Sequence, residues 1–475
     1  MTEYIKFNKF NKYFKYVLLS ILFYYLNDCL LGYNHNDSFE DVSLIKFLYY
    51  CFKRPYSNNL SNYKITDFLL NYFGVFLFSI FTRLYELYIS DSSFSQFFEI
   101  DNSLVTVQRQ IHDLNLDNNN KKKKNNNILY RFRNYLVMNS SKVIYIIISF
   151  LWIVDEITLV IFSKFLKDID FWFFEILMVN FFYSKIFLVQ TFKHQYIAII
   201  INLFPSILKV ATIILSFYSH EPRLYTEYPW WIPIGVFCFL FLKAIEAFIY
   251  CTLKSFLDIK YATTSHILMI YSLVGFSICF IICIISSFIP CSEKNAPNLI
   301  IEDLCKIEVN DYLYFDNINN YFSSFSYGNG IDIFIRTFII IADSVTFFFN
   351  KYYSILVIKY TNPVNIILCF PIIFIIRKIV LIIVNLIVDN ECFKDTSYYK
   401  VDKFFLDMFG DIICAFGYLI YLEIIELKFC GINHNIKKNI INRGIDEVSI
   451  NDMTGFINDD MSEDENSTSS TEMIN

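Results

Sequence analysis

Residues 229–290 contain two long apolar runs joined by a short polar hinge, and this stretch constrains the fold more than any other. A bilayer core about 30 Å thick takes roughly 20 apolar residues at about 1.5 Å rise per residue. Each run is that long. The hinge, residues 254–264, carries Lys254, Asp258 and Lys260 and is predicted to lie in water. The pattern therefore predicts two transmembrane helices joined by a turn.

The rest of the chain repeats this pattern. Hydrophobic residues make up 55% of the 475 residues and aromatic residues 19%, with a mean hydropathy of +0.41, and soluble domains have lower apolar content. The sequence therefore predicts an all-α, polytopic membrane protein. Windows of about 19 residues predict about ten spans, near 16–33, 66–88, 142–162, 169–190, 195–217, 230–252, 265–289, 333–355, 363–388 and 404–426.

Basic residues between the spans predict the orientation. The N-terminal arm (residues 1–15), the 89–141 segment and the segment after the last span (residues 427–475) all contain several Lys or Arg residues. With ten spans they share one face, so both termini are predicted to be cytosolic, in the Golgi, another endomembrane or the plasma membrane. Lys53 and Arg54, in the first loop on the opposite side, count against this orientation.

Two cytosolic segments are predicted to be disordered. The 89–141 segment contains the low-complexity run DNNNKKKKNNN, and the tail from about residue 446 is acidic and rich in Ser and Thr. Neither composition can bury a core. We interpret the lysine run as a solvated linker rather than a nuclear signal or a lipid-binding patch, so no nucleic-acid partner is expected.

The loop of residues 291–329 is long and acidic and is predicted to face the lumen or the exterior. Cys291 and Cys305 then lie in an oxidising compartment, either as a disulfide or as two free thiols. Asn36 and Asn59 begin N-x-S sequons on the same side, so both are candidate glycosylation sites.

Ionisable residues inside spans mark a bundle interior or a substrate path. Lys243 and Glu246, at spacing i,i+3 in the sixth span, share a helix face. Asp155 and Glu156 are adjacent in the third span, so at most one is expected to line a cavity. We predict that these residues line a central substrate site, where Lys243 offers a positive charge to an anionic solute. Its replacement is then expected to abolish uptake while abundance stays intact. A purely structural ion pair between Lys243 and Glu246 is the alternative.

Other charges lie near predicted span ends. Arg83 and Glu86 close the second span, and Glu423 closes the tenth. Their long side chains are expected to reach toward the interface. Lys351 is likewise assigned to the end of the eighth span.

The sequence contains no recognisable catalytic motif. The six His residues are dispersed, and no P-loop, G-x-S-x-G or H-E-x-x-H motif occurs. The twelve Cys residues contain no C-x-x-C pair. The sequence therefore predicts no enzyme, cofactor or metal site.

Three stretches carry a family resemblance. Residues 187–195 (FLVQTFKHQ) resemble a short basic turn between a fourth and a fifth helix. Residues 253–275 resemble the turn from a sixth helix into a seventh that ends on glycine, and Gly410, Gly417 and residues 418–421 (YLIY) resemble the last helix. Together they resemble the drug/metabolite transporter superfamily, in particular its nucleotide-sugar-transporter-like branch.

The resemblance covers residues 142–426. It implies two inverted five-helix halves, here residues 16–217 and 230–426. The chain departs from the family at Pro205, where a glycine is usual, and in the length of the 291–329 loop. No substrate-binding residue is carried over from the family.

We therefore predict a secondary transporter of a small polar or anionic solute that works by alternating access in the lipid bilayer. The alternative is a non-transporting membrane receptor or scaffold with a lumenal binding loop. The solute and the oligomeric state stay open.

Overall fold

The structure, a computed structural model, describes most of the apolar segments of the chain. The described residues are 15–23, 26, 64–89, 142–163, 172–185, 192–219, 231–258, 262–293, 305, 307–326, 330–361, 363–387 and 401–428. The N-terminal arm, both sequons at Asn36 and Asn59, residues 90–141 and the tail after residue 428 lie outside them. The predictions made for those segments are therefore untested.

Helices form most of the described chain. Residues 15–23 are helical. The longer helices are α1 (Lys64–Ile89), α2 (Lys142–Ser163), α3 (Trp172–Lys185), α4 (Lys193–Ser219), α5 (Trp231–Asp258), α6 (Thr264–Phe288), α8 (Gly330–Tyr360), α9 (Val364–Ile387) and α10 (Val401–Tyr421), and a short helix, α7 (Ile318–Ser326), precedes α8.

The predicted spans fall on these helices. The second to tenth spans coincide with α1 to α6 and α8 to α10, and α3 is shorter than the predicted 169–190. Among the described residues, three helices are long and apolar enough to cross a membrane: Ile65–Ile89, Val236–Leu257 and Thr264–Phe288. The prediction of a mainly helical chain with apolar helices suited to a membrane is confirmed at this level.

The two faces of α6 show why this helix suits a lipid environment. Its buried face places Ser265, Ser272, Gly275, Cys279 and Cys283 at intervals of three, four or seven residues. Large apolar side chains such as those of Phe280 and Ile281 lie on the exposed face. The buried face also holds large side chains such as Leu268 and Tyr271. The exposed face distinguishes α6 from a soluble helix, whose exposed face is polar, and its small buried residues allow the close helix contacts that are typical of membranes.

Small residues bring two helix pairs into close contact. Gly275 of α6 lies against the ring of Tyr72 of α1, where an added Cβ would be 2.6 Å from the ring. Gly417 of α10 lies against Asn202 of α4, where a Cβ would be 2.5 Å from the amide oxygen. Neither position has room for a side chain without movement of its neighbour.

The segment after α6 corrects the all-α prediction. Strands β1 (Ser292–Glu293), β2 (Ile307–Val309) and β3 (Tyr312–Tyr314) form an antiparallel sheet in the order β1-β3-β2. Asn310 and Asp311 join β2 to β3 with φ of 49° and 67°. Two residues at positive φ form the tight hairpin turn that matches strand twist, and Asn and Asp tolerate it best.

Two links hold this segment to the helices. Cys291, just after α6, forms a disulfide with Cys305. Asp316 caps the first turn of α1: its carboxylate accepts hydrogen bonds from the backbone N–H of Ile65 at 2.8 Å and of Thr66 at 3.0 Å, and from the Thr66 hydroxyl at 2.6 Å. N–H groups at a helix N-terminus have no partner within the helix, so this cap joins the loop to the bundle.

The hinge prediction is wrong at Lys254. Helix α5 continues through this residue to Asp258, and Lys254 is only 2% exposed. Its ammonium donates a hydrogen bond of 2.9 Å to the carbonyl oxygen of Lys359, in the last turn of α8. The last carbonyls of a helix lack intrahelical donors and attract cations, which explains why this lysine turns inward.

Candidate functional site

Six ionisable side chains, four of them buried and two partly buried, form a polar layer in the interior of the helical bundle. They come from α2, α3, α5 and α8, whose sequences are mainly apolar. The polar layer consists of Asp155, Glu156, Glu175, Lys243, Glu246 and Lys351. Ionisable groups among membrane helices are costly and usually functional.

One part of the layer is a lysine between two carboxylates. The ammonium of Lys243 lies 2.7 Å from a carboxylate oxygen of Glu175 and 2.7 Å from one of Glu246. The Tyr250 hydroxyl donates a 2.7 Å hydrogen bond to the other oxygen of Glu246. All four residues are buried, and Lys243 is 4% exposed. This triad of Lys243, Glu175 and Glu246 contains one more carboxylate than ammonium.

The other part is centred on Glu156. Its carboxylate forms an ion pair with Lys351 of α8 and accepts hydrogen bonds from Tyr72 of α1 at 2.9 Å and from Tyr271 of α6 at 2.5 Å. The two tyrosine rings meet edge to face, with centroids 5.5 Å apart. Four helices therefore meet at one carboxylate.

Aromatic rings surround the ammonium of Lys351. Its nitrogen lies 5.2 Å from the ring centroid of Trp152, 5.3 Å from that of Phe347 and 5.9 Å from that of Tyr271. Cation–π contacts at such distances stabilise a partly desolvated ammonium. The side chains of Lys351 and Glu156 are 15% and 13% exposed, so this part of the layer is more accessible than the triad.

Asp155 interacts with both parts of the layer. Its side chain is in electrostatic range of Glu246, Lys243, Glu156 and Lys351. The residue is 2% exposed, and its Oδ1 has no hydrogen-bond partner among the described residues. The two adjacent carboxylates therefore share Lys351 as a neighbour, and the expectation that at most one of them lines a cavity stays a prediction.

All four residues predicted for the central site lie in the polar layer. Lys243 and Glu246 form the ion pair that their spacing allows, and Asp155 and Glu156 reach the same layer from α2. Their role in solute binding stays a prediction. The sequence analysis did not predict Glu175 as a partner of Lys243. The signal that could have identified it is its position as an ionisable residue inside the fourth predicted span.

Lys351 was missed for a different reason. The predicted eighth span stopped at residue 355, whereas α8 continues to Tyr360. Lys351 therefore lies about two and a half turns from the end of the helix rather than at its end. Tyr72 and Tyr271 carried no distinguishing signal, because the chain contains 35 tyrosines.

Further polar pairs lie outside the layer. Asn71 of α1 donates a 2.6 Å hydrogen bond to Asp343 of α8. Arg83 is buried and pairs with Glu86 at 3.3 Å, so it packs inside the bundle instead of reaching outward as expected. Glu423 lies 3.2 Å from buried His194. The Arg83–Glu86 pair lies within α1, whereas the other two contacts join different elements. The described part of the chain contains no grouping of three potential metal ligands.

No protein-family model, no curated protein and no solved structure matches this chain. The resemblance to the drug/metabolite transporter superfamily therefore remains a hypothesis.

Proposed function

We propose that this chain is a multi-pass membrane carrier that moves a small polar solute by alternating access, with the polar layer as its binding site. The observation that carries the proposal is the convergence of four helices on Glu156: the carboxylate comes from α2, and its partners come from α1, α6 and α8. A buried charge held this way between helices is typical of a substrate or ion path.

Helix packing supports an arrangement in two related halves. Residues 15–23 belong to the first of the ten predicted spans, and α7 is not a span. Helices α1 to α4 therefore correspond to the second to fifth spans. Helices α5, α6, α8, α9 and α10 correspond to the sixth to tenth spans. The two most extensive contacts, α1 with α6 and α4 with α10, each join one helix to its counterpart five places later. A two-fold relation between the halves favours such contacts.

Several remaining contacts also come in exchanged pairs. When each helix is replaced by its counterpart five spans away, the contact of α2 with α6 becomes the contact of α8 with α1, and both contacts are present. In the same way, the contact of α3 with α4 corresponds to the contact of α9 with α10. The packing of α3 on α5 corresponds to that of Ile21 on Cys369 and Ile373 of α9. The packing of α2 on α5 corresponds to that of Phe23 on Phe349 of α8, with rings 4.8 Å apart.

The Glu156 site lies where counterpart helices meet. Tyr72 and Tyr271 come from one counterpart pair, α1 and α6, and Glu156 and Lys351 from another, α2 and α8. Secondary transporters with inverted repeats bind their solute between the repeats, near the bilayer midplane. This position supports Glu156 and Lys351 as solute contacts.

The charge balance bears on the class of solute. Lys243 already has two carboxylate partners and Lys351 has one, so the layer has no surplus positive charge for an anion among the described residues. We therefore favour a neutral polar or positively charged solute over the anionic solute that Lys243 alone suggests. The faces of Trp152 and Phe347 suit a sugar ring or an amine.

Uptake into proteoliposomes tests the proposal. The panel contains a primary amine, a neutral sugar and a nucleotide sugar, and Glu156→Gln is compared with Glu308→Gln, a matched change at an exposed residue of β2. We expect uptake of the amine or the sugar that Glu156→Gln abolishes and Glu308→Gln retains. Uptake of none of the three, or uptake unaffected by Glu156→Gln, would contradict the proposal.

A receptor or scaffold is the second candidate, favoured by the folded, disulfide-closed segment between α6 and α8. Access to the layer discriminates between the two functions. Phe347→Cys, in a background that keeps only the Cys291–Cys305 pair, is treated with membrane-impermeant thiol reagents from each side. A carrier is labelled from both sides, because its site alternates, whereas a scaffold is labelled from one side or from neither.

A further inference from the structure

We propose that the Asp155 carboxylate binds a proton taken from water, and that this proton is the coupling ion of the carrier. The coupling rests on the function proposed above. The proton site itself is a property of the polar layer and is tested separately.

The polar layer contains more carboxylates than ammonium groups. Two ammonium groups, those of Lys243 and Lys351, face four carboxylates. With every group ionised, these six side chains carry two excess negative charges in a buried setting. Burying unbalanced charge is costly, and such a group usually becomes neutral or acquires a partner.

The carboxylates of the layer differ in their partners. Glu156 has three, and Glu246 has Lys243 and Tyr250. The Glu175 oxygens have no hydrogen bond of their own among the described residues, but one of them lies 2.7 Å from the ammonium of Lys243. Asp155 is 2% exposed, and its Oδ1 has no hydrogen-bond partner in the described part of the chain. A proton can bind to an unpartnered carboxylate oxygen without breaking an existing hydrogen bond.

The neighbours of Asp155 act in opposite directions. Carboxylates favour the protonated acid and ammonium groups favour the carboxylate. The charged and titratable groups around it are Glu156 on its own helix, Lys243, Glu246 and Tyr250 on α5, and Lys351 on α8. Tyr271 of α6 contacts the adjacent Glu156. Movement of either lysine therefore changes the proton affinity of Asp155, which is what coupling requires.

The proton balance of the step is simple. A proton from water on one side adds to a carboxylate oxygen of Asp155, and no other bond breaks. The excess of negative charge in the layer falls from two to one, and the attraction between Asp155 and the two lysines weakens. Release of the proton to the other side restores the carboxylate.

A proton fits this position better than a metal cation. A metal cation needs several oxygen ligands around it, and no group of three His, Cys, Asp or Glu side chains suited to a metal occurs among the described residues. A proton needs only one carboxylate oxygen.

Infrared difference spectroscopy tests the site in the full-length protein in lipid nanodiscs, with pH as the only variable. Every carboxylate that is protonated gives a C=O band, so the measured quantity is the difference between the acid-induced spectra of the wild type and of Asp155→Asn. This difference is expected to contain the C=O band of one protonated carboxylic acid, and that band should move when aspartate carries a ¹³C-carboxyl label. Asp343→Asn is the matched control, because Asp343 is also a buried aspartate with an unpartnered oxygen but receives a hydrogen bond from Asn71. It should retain the band.

Several outcomes would overturn the inference. They are acid-induced spectra that do not differ between the wild type and Asp155→Asn, a difference band that ignores the aspartate label, and a titration midpoint of that band that shifts when sodium replaces choline. The isotope label needs no substitution, and Asp155→Glu keeps a titratable group, so misfolding of Asp155→Asn does not remove the test.

The readout is independent of transport. A protein that moves solute but shows no Asp155 band loses the proton site and keeps the carrier function. A protein that shows the band but moves none of the three solutes loses the carrier function and the coupling.

Discussion

The polar layer holds two lysines by different means, and the comparison separates a closed ionic site from an accessible one. Lys243 lies between two carboxylates and is 4% exposed. Lys351 has one carboxylate partner, three aromatic rings around its ammonium and a side chain that is 15% exposed. Carboxylates fix a charge in one place, whereas ring faces stabilise a cation without a directed bond.

The difference suggests separate tasks. The triad links α3 to α5, and breaking it by removing one partner leaves uncompensated buried charge. At the Glu156 site, the carboxylate retains two tyrosine donors when Lys351 moves. The first site is therefore suited to holding helices together, and the second to exchanging one cation for another.

The largest effect is expected for Lys243→Met. This change leaves Glu175 and Glu246 without their shared ammonium, and removing one partner of a buried ion pair costs about 3–5 kcal/mol. Thermal unfolding of the purified protein and its abundance in the membrane measure the loss. Adding Glu246→Gln should restore part of the stability, because one of the two stranded charges is then removed.

The outcome at Lys243 also decides between its two earlier interpretations. Normal abundance and melting temperature combined with lost uptake would contradict the structural assignment and restore the solute-binding role predicted from the sequence. Loss of abundance and uptake together would support the triad as a structural link.

A smaller loss is expected for Lys351→Met. The Met side chain keeps favourable contacts with the rings of Trp152 and Phe347, and Glu156 keeps two hydroxyl donors. We expect a destabilisation of about 1–3 kcal/mol, the range for a polar group left with incomplete hydrogen bonding, measured by the same unfolding assay. A loss equal to that of Lys243→Met would show that the two lysine sites do not differ as argued.

Only part of this layer was predictable from the sequence. The helices are local features of apolar runs, and the Lys243–Glu246 pair follows from i,i+3 spacing on one helix. The partners Glu175 and Lys351 depend on which helices are neighbours, which no local pattern specifies. Lys351 was also predicted to lie at the end of a span, whereas it lies inside α8, because this helix extends past the predicted span.

The segment after α6 illustrates a second limit. Its hairpin turn depends on two adjacent residues, Asn310 and Asp311, within a segment for which the sequence analysis predicted only a long acidic loop. Lys254 shows a third limit, because its charge predicted water while the carbonyl of Lys359 supplied a partner inside the protein. At Lys254 a contact distant in sequence outweighed local composition.

Two tyrosine substitutions, one at each site, sharpen the comparison. Tyr250→Phe leaves one oxygen of Glu246 without its donor, whereas Tyr72→Phe leaves Glu156 with Tyr271 and Lys351. A hydrogen bond to a charged group contributes about 1.5–3 kcal/mol. We expect Tyr250→Phe to be near the upper end of this range and Tyr72→Phe near the lower end in thermal unfolding. The reverse order would indicate that the triad is the more adaptable site.

The smallest effect concerns Asp316, a buried carboxylate whose partners are N–H and O–H groups rather than an ammonium. Asp316→Ala removes the cap of α1 and is expected to cost about 0.5–2 kcal/mol. Asp316→Asn retains an acceptor oxygen and should cost less. Both are measured by thermal unfolding beside Glu308→Gln, a neutralising change on the surface of the same segment.

The pH dependence of this cap has a defined sign. Burial raises the pKa of Asp316, and this effect outweighs the hydrogen bonds from Thr66 and Ile65, which lower it. The folded protein then holds the proton to a higher pH than the unfolded chain. Stability from this group is complete below the ordinary carboxyl pKa and is lost as pH rises through the raised one. Asp316→Asn should remove this slope from the melting temperature, and Glu308→Gln should leave it. A slope that survives Asp316→Asn would show that another group causes it, and that N–H donors hold this carboxylate in its charged form.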